Sequence, residues 1–487
     1  MNDLETNVRP ERRIETFESV QYLFLKALAI IYFIAFLSFG MQVTGLVGEH
    51  GILPLGGFLR RAGEVLGGSK WRLLPTVFWF NSSDTFLILV CFLGALGAVA
   101  VFVGKGWRIA LVACYLLYLS LVHAGQDFMS YQWDMLLLEV GFLTIFLGWH
   151  PIVLPLYRWL LFRLMLLSGL AKLMSGDPTW RNLTALRYHY ETQPLPTPLA
   201  WYANLLPVGM QRSSVAVMFA IELLLPFLLF LPRRWRMIAG MGMAFLQITI
   251  LLTGNYTFFN WLTLALCLFT LDDEALLPWI PHRSVGRIRP LEASRFVRPI
   301  GAAAGGLVLA LSLILMVSEI AGRTWRPVTQ VARAFAPFGI ANNYGLFAVM
   351  TRTRDEIIVE GSNDGSRWLA YEFKYKPGDV YRAPPVIAPL QPRLDWQMWF
   401  AALGTYRDNP WFVNCEVRLL QGRPEVTRLL RTNPFPGSPP RYIRATIYRY
   451  WFTDWKTGRQ TGAWWNRTPR GVYMRAISLD DVRAEGM

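Results

Sequence analysis

Four ionisable side chains, Glu139, Arg163, Lys172 and Glu222, fall inside long apolar runs. A charge held in hydrocarbon is costly, and it persists where it pairs, lines a polar cavity or takes part in proton transfer. At 1.5 Å of rise per residue, Glu139 lies roughly 10 Å and Lys172 roughly 5 Å below the face opposite the N-terminus, within reach of each other through the lysine stem. Arg163 and Glu222 lie roughly 9 and 13 Å from the N-terminal face, so they too can pair. Two chemistries follow. In one, Lys172 snorkels to the surface and the carboxylates are neutral or hydrogen-bonded clamps of the fold. In the other, a polar cavity opens on the opposite face, and a desolvated Lys172 amine with a lowered pKa acts as a base. His123 and His189 read as loop residues. No spacing joins them to other ligands, so no metal site is expected.

The elements that carry these residues are about nine apolar segments, near 21–43, 85–104, 108–124, 133–149, 157–175, 214–231, 236–253, 257–272 and 299–319. Most are long enough to cross a bilayer. The first starts well inside the chain with no cleavage-like site after it, and reads as a retained span. Composition agrees: 53% of the 487 residues are hydrophobic, 17% are charged and the net charge is +15. The basic surplus lies between apolar segments and forms no nucleic-acid-binding run. There is no P-loop, Rossmann fingerprint or GxSxG element. Broken helix pairs of the transporter type are absent as well. Cys91, Cys114 and Cys267 lie in apolar stretches and Cys415 beyond them; no CxxC or zinc spacing exists.

Loop charge gives an orientation. The N-terminal side carries Arg9, Arg12, Arg13, Lys105, Arg108, Arg158, Arg233, Arg234 and Arg236, then Arg283, Arg287, Arg289, Arg295 and Arg298. The opposite side has about half as many, at Arg60, Arg61, Lys70, Arg72, Arg181, Arg187 and Arg212. Positive charge marks the cytoplasm, so the N-terminus is expected inside and, after nine spans, the C-terminus outside.

Polar and aromatic residues collect in the loops of that outer face: His123, Gln126 and Asp127, then Tyr131 to Asp134, the long 176–213 segment, and Asn255. In the long segment Asp177-Pro178 reads as a helix start. Trp180, Leu183, Leu186 and Tyr190 then form one apolar stripe, with Arg181 and Arg187 off it, predicting a short interfacial helix. His189 and Glu191 close it, and Pro194, Pro196 and Pro198 predict an extended run.

Three regions are expected: a cytoplasmic tail over 1–20, a membrane domain over 21–320 and a soluble α+β domain over 321–487. The last is expected to be built on a small antiparallel sheet, or a sandwich. Strands at 356–360 and 368–375 flank the turn Gly361 to Gly365. A third strand spans 442–452, and helices lie at 396–403 and 410–420. Asp395 stands just before the first helix and reads as its N-cap. Arg393 can reach that carboxylate, Glu191 or Asp127. The Arg393, Asp395, Trp396 corner thus reads either as a structural cap or as the point where the soluble domain docks onto the outer loops.

Several motifs resemble the lipase maturation factor family. They are Arg163-Leu164-Met165, Gly169-Leu170-Ala171-Lys172, Trp180-Arg181-Asn182-Leu183-Thr184, Tyr188-His189-Tyr190-Glu191-Thr192-Gln193-Pro194 and Thr253-Gly254-Asn255-Tyr256. In the soluble end Asn343-Tyr344-Gly345-Leu346-Phe347 and Pro392-Arg393-Leu394-Asp395-Trp396 match as well. The resemblance implies a polytopic membrane protein that helps exported client proteins such as lipases to fold and assemble, with its C-terminal domain in the lumen of the endoplasmic reticulum. The membrane half is also similar to the vitamin K-dependent γ-carboxylase and the HTTM superfamily, through Gly169-Leu170-Ala171-Lys172-Leu173. That implies the alternative of an enzyme with Lys172 as its base and a quinone-type lipid-soluble cofactor. The main reading expects no cofactor and no nucleic acid, only the bilayer and a client. An arginine-rich, short chain points to a bacterial inner membrane, or to the endoplasmic reticulum if eukaryotic. In a eukaryotic secretory compartment the sequons at Asn81, Asn182, Asn255 and Asn466 would matter.

Overall fold

A computed structural model describes residues 15–279, 295–322 and 326–484. The arginines at 9, 12, 13, 283, 287 and 289 that entered the charge count lie outside those residues. Among the described residues seven helices are long and apolar enough to cross a membrane. They are α1 (Glu18–Gly40), α2 (Asp84–Val103), α3 (Trp107–Ala124), α5 (Val153–Met174), α6 (Val208–Phe230), α7 (Arg233–Thr253) and α9 (Arg298–Ala321). The other two of the nine expected segments are shorter helices, α4 (Gln132–Ile145) and α8 (Phe259–Thr270). At 14 residues α4 spans roughly 21 Å, short of a hydrocarbon core of about 30 Å. It is buried on nearly every side within the bundle, as a helix apolar all round must be.

Local chemistry sets the helix ends. The Ser83 hydroxyl accepts from Phe86 N–H at the start of α2, and Gly104, at φ +91°, ends it. The Asp273 carboxylate accepts the N–H groups of Glu18, Ser19 and Val20, capping α1 from across the bundle. Close packing of α1 on α2 depends on Gly94, where a Cβ would meet the Phe36 ring at 2.2 Å.

The C-terminal half is built on one five-stranded antiparallel sheet of order β3-β2-β1-β4-β5. Its strands are β1 (Arg354–Ser362), β2 (Leu369–Phe373), β3 (Leu430–Thr432), β4 (Tyr442–Phe452) and β5 (Trp465–Ile477). It is not a sandwich: α10 (Arg393–Ala401) packs on β1 and α11 (Pro410–Leu420) on β4, supplying the cover a second sheet would give. The hairpin joins Val359 to Tyr371, turning at Gly365 with φ +74°. Asp364 stabilises the turn by accepting from Ser366 and Arg367 N–H.

This half sits on the bundle face at the C-terminal end of α1. One continuous apolar cluster runs from Phe36, Leu46 and Phe128 to Trp396, Trp411 and Leu429. The four cysteines are buried thiols. Within α11, Glu416 is fully buried and neither carboxyl oxygen has a partner among the described residues. Burial holds its carboxyl well above the usual range. A raised folded-state pKa means that stability is present while the unfolded carboxyl is protonated, and declines as pH rises through the ordinary carboxylate range. Glu416→Gln should therefore match the native protein in melting temperature near pH 4, exceed it at pH 8, and remove that part of the slope. Identical slopes for the two proteins would assign Glu416 an unperturbed carboxyl.

Candidate functional site

The intramembrane charges pair differently from the depth estimate. Glu139 on α4 binds Arg163 on α5, and Lys172 on α5 binds Glu222 on α6. The expected Glu139–Lys172 and Arg163–Glu222 pairs are not formed. The estimate took the ends of all apolar runs as level, whereas α6 begins at Val208, ahead of the apolar run at 214. A π turn over Ala220–Leu224 further shifts the register of Glu222.

The first pair is completed by the segment that leads into the sheet. Arg163 donates to the Asn342 carbonyl at 3.0 Å. Glu139 accepts Asn342 N–H at 2.9 Å, the Asn342 side-chain amide at 3.2 Å and the Tyr344 hydroxyl at 2.7 Å. A buried ion pair offsets its desolvation only when its remaining hydrogen-bonding capacity is used. Here Asn342 and Tyr344 use all of it except the Arg163 Nε–H, which has no partner among the described residues, and so tie the soluble half to the bundle centre.

The second pair lines a cavity of about 980 Å³ between α5, α6 and α7. Lys172 Nζ donates to both Glu222 oxygens at 2.8 Å and to the Ser168 carbonyl at 3.2 Å. At 5% exposure it is buried rather than snorkelling. Trp180 lies beneath the ammonium, its ring centre 5.6 Å away, and is fixed by its indole N–H donating to Phe347 O. The predicted interfacial helix is instead two, Pro178–Arg181 and Leu186–Thr192. Leu183 takes φ +56° between them and breaks the stripe. Asp177 does cap the first helix, accepting Thr179 N–H at 2.8 Å, and Pro178 opens it. His189, in the second, reaches the cavity. Burial and then the Lys172 charge push its pKa down to about 4, so its ring is neutral.

The Arg393 corner lies on the loops of the same bundle face. Arg393 donates two bonds to Asp134, both 2.9 Å, and one to Phe128 O at 2.6 Å. It does not pair with Asp395, Glu191 or Asp127. Asp395 is not an N-cap either, because α10 already starts at Arg393 with Pro392 in the cap position. Its carboxylate accepts Tyr375 and Lys376 N–H at 2.8 and 2.9 Å, bracing the chain that follows β2. Burial nonetheless raises its pKa. Trp396 packs edge-on to Trp133 at 4.8 Å, and Trp399 donates to Thr192 O at 2.8 Å. Asn255 is spent on the same junction: its amide donates to Leu195 O and Pro385 O, and its oxygen accepts Ile387 and Ala388 N–H. That sequon is buried and closed to a glycan. Glu191 accepts Phe452 N–H, Gln126 donates to Leu53 O, and His123 meets Pro337 O. Arg181 and Asp127 are exposed, although the Asp127 carbonyl accepts from Gln397.

Sequence reasoning missed four contributors. Asp134 lay within a quoted loop run but was not singled out. Asn342 and Tyr344 carry no charge signal. Arg354, at the start of β1, is fully buried and donates to the carbonyls of Glu191, Gln193 and Pro194 while holding Glu356, which also binds Lys376 at 2.9 Å. An arginine opening a strand directly ahead of Asp355 and Glu356 is the only sequence sign of it. Among the described residues no three His, Cys, Asp or Glu side chains converge as a metal site would require.

Comparison with known proteins places both halves together. Residues 19–278 match the lipase maturation factor transmembrane domain and residues 340–475 the lipase maturation factor C-terminal domain. The chain is similar to lipase maturation factor 2 of Gallus gallus, at 35% identity over 96% of this chain and 82% of that protein. It is 36% identical to lipase maturation factor 1 of Mus musculus, over 96% of this chain and 88% of that one. The Bos taurus lipase maturation factor 1 is likewise 36% identical, over 98% and 92%. No solved structure gives a significant match.

Proposed function

Because the chain belongs to the lipase maturation factor family, we propose that it is a membrane-anchored factor that holds exported clients, lipases first among them, while they fold and assemble. The observation that carries this reading is the extent of the likeness. It spans membrane half and C-terminal half alike, at 36% identity over 96% of the chain to a protein named for lipase maturation. The rigid seat of the soluble half on the bundle supports it, because a client surface assembled from both halves needs a fixed relation between them. The carboxylase-like alternative gains nothing from the relatives. The amine it would use as a base has all three hydrogens committed to Glu222 and Ser168.

The orientation belongs to the same proposal. Basic loops mark the N-terminal face as cytoplasmic, which sets the soluble half in the periplasm of a bacterium or in the lumen of the endoplasmic reticulum. Single cysteines at Arg234 and at Arg9 should react with an impermeant maleimide only after the membrane is opened, and one at Asn363 in intact cells. Labelling at 363 only after opening would reverse the assignment. The client is identified by crosslinking in the native cell and pulling down the chain. An exported lipase or related hydrolase, joined through the soluble half or the 123–134 and 176–213 loops, is the expected partner. Crosslinks only to other envelope membrane proteins would point to a structural subunit instead.

A further inference from the structure

The cavity beside Lys172 is large for its polarity. At about 980 Å³ it stands at the upper end of small-molecule sites. Its rim includes Met210 and Val217 of α6 and Phe245 and Leu252 of α7, each about half exposed. Both helices are apolar enough to cross a membrane, so this opening faces acyl chains.

Charge inside the cavity cancels. Among the described residues, Lys172 and Glu222 are the only Asp, Glu, Lys or Arg side chains in its wall, and they neutralise each other. A charged headgroup would lose its hydration there and find no free counter-ion.

Asn260 Oδ1 in the wall has no partner among the described residues, and a second acceptor stands at His189, where hydrogen-bond accounting fixes its character. Both amide hydrogens of Gln193 go to carbonyls, those of Tyr190 and Thr253, so its side-chain oxygen is the acceptor. The Tyr256 hydroxyl donates to that oxygen at 2.9 Å. The Tyr256 oxygen therefore receives the Nε2–H of neutral His189 at 3.3 Å. His189 Nδ1 is left with a lone pair and has no protein partner among the described residues. It accepts and cannot donate.

We propose that this cavity binds a neutral lipid bearing a free hydroxyl, of the mono- or diacylglycerol type, with its chain entering between α6 and α7 and its hydroxyl donating to His189 Nδ1. The site is independent of the client-holding reading. A fatty acid carries the wrong charge, and an oxidised quinone offers only acceptors to an acceptor.

The full-length protein in nanodiscs tests this with a photoreactive diacylglycerol, its O-methyl ether and a photoreactive fatty acid of equal chain length. The diacylglycerol should crosslink within 206–217 and 245–252. The ether should bind about three- to tenfold more weakly, the worth of one hydrogen bond. His189→Phe should lower the alcohol to the level of the ether and leave the ether unchanged, which shows that the variant keeps its fold and cavity. Met210→Trp should narrow the mouth and reduce both. Equal labelling by alcohol and ether, stronger labelling by the fatty acid, or no labelling in these two segments would overturn the proposal.

Discussion

Replacing Arg393 with alanine should unseat the C-terminal half from the bundle. The guanidinium is 1% exposed and holds Asp134, itself fully buried, with two bonds, while a third reaches Phe128 O. Removing one partner of such a pair leaves an uncompensated charge, at a cost of about 3–5 kcal/mol. That is a large share of the roughly 5–15 kcal/mol that stabilises a folded protein. The Tyr118 hydroxyl still donates to Asp134 and softens the loss without cancelling it. Hydrogen exchange should rise first in α10 and in the 125–134 loop, and the melting temperature should fall. The double variant Arg393→Met, Asp134→Leu should recover much of the loss, since it leaves no buried charge. An Arg393→Ala protein with native exchange in α10 would show that the apolar junction alone holds the halves together.

The second large effect is expected at Glu139. Its carboxylate is the common acceptor for Arg163, for two N–H groups of Asn342 and for the Tyr344 hydroxyl. Glu139→Ala strips Arg163 of its counter-ion and leaves Asn342 N–H and the Tyr344 hydroxyl without this acceptor, while the Asn342 amide keeps the Met135 and Gly339 carbonyls, and it should cost at least the roughly 3–5 kcal/mol of a broken buried pair. Arg163→Met should cost less, because the carboxylate keeps three donors. Thermal unfolding in detergent ranks the two variants. Equal losses, or a greater loss for Arg163→Met, would contradict the view that Glu139 is the hub that fastens the soluble half to the bundle centre.

The elements were more legible than their partners. Hydropathy located every long span among the described residues because burial in lipid demands a continuous apolar run, and it counted the shorter α4 and α8 with them. Turn chemistry placed the hairpin at Gly361 to Gly365, and the helix expected at 410–420 is α11. β5 escaped because its exposed stretch, with Pro469 and with Gly471 at φ +146°, breaks the alternation that marks a strand. The break at Leu183 escaped for a related reason: no glycine or asparagine announces its positive φ. Among the site residues, the types were readable and the pairings were not. Which carboxylate meets which cation depends on the stagger of helices, and a count along each helix does not contain it. Asp134, Arg354, Asn342 and Tyr344 show the same limit, because each gains its role from a segment more than 100 residues away.

The most direct test of a maturation role is the specific activity of an exported lipase, measured as activity per unit mass of secreted enzyme, in cells lacking this chain and in the same cells with it restored. The account predicts that without the chain the lipase is made but its specific activity drops sharply. The native chain should restore it, and the Arg393→Ala chain should not. A lipase secreted with full specific activity in the absence of the chain, across the exported lipases of that cell, would contradict it.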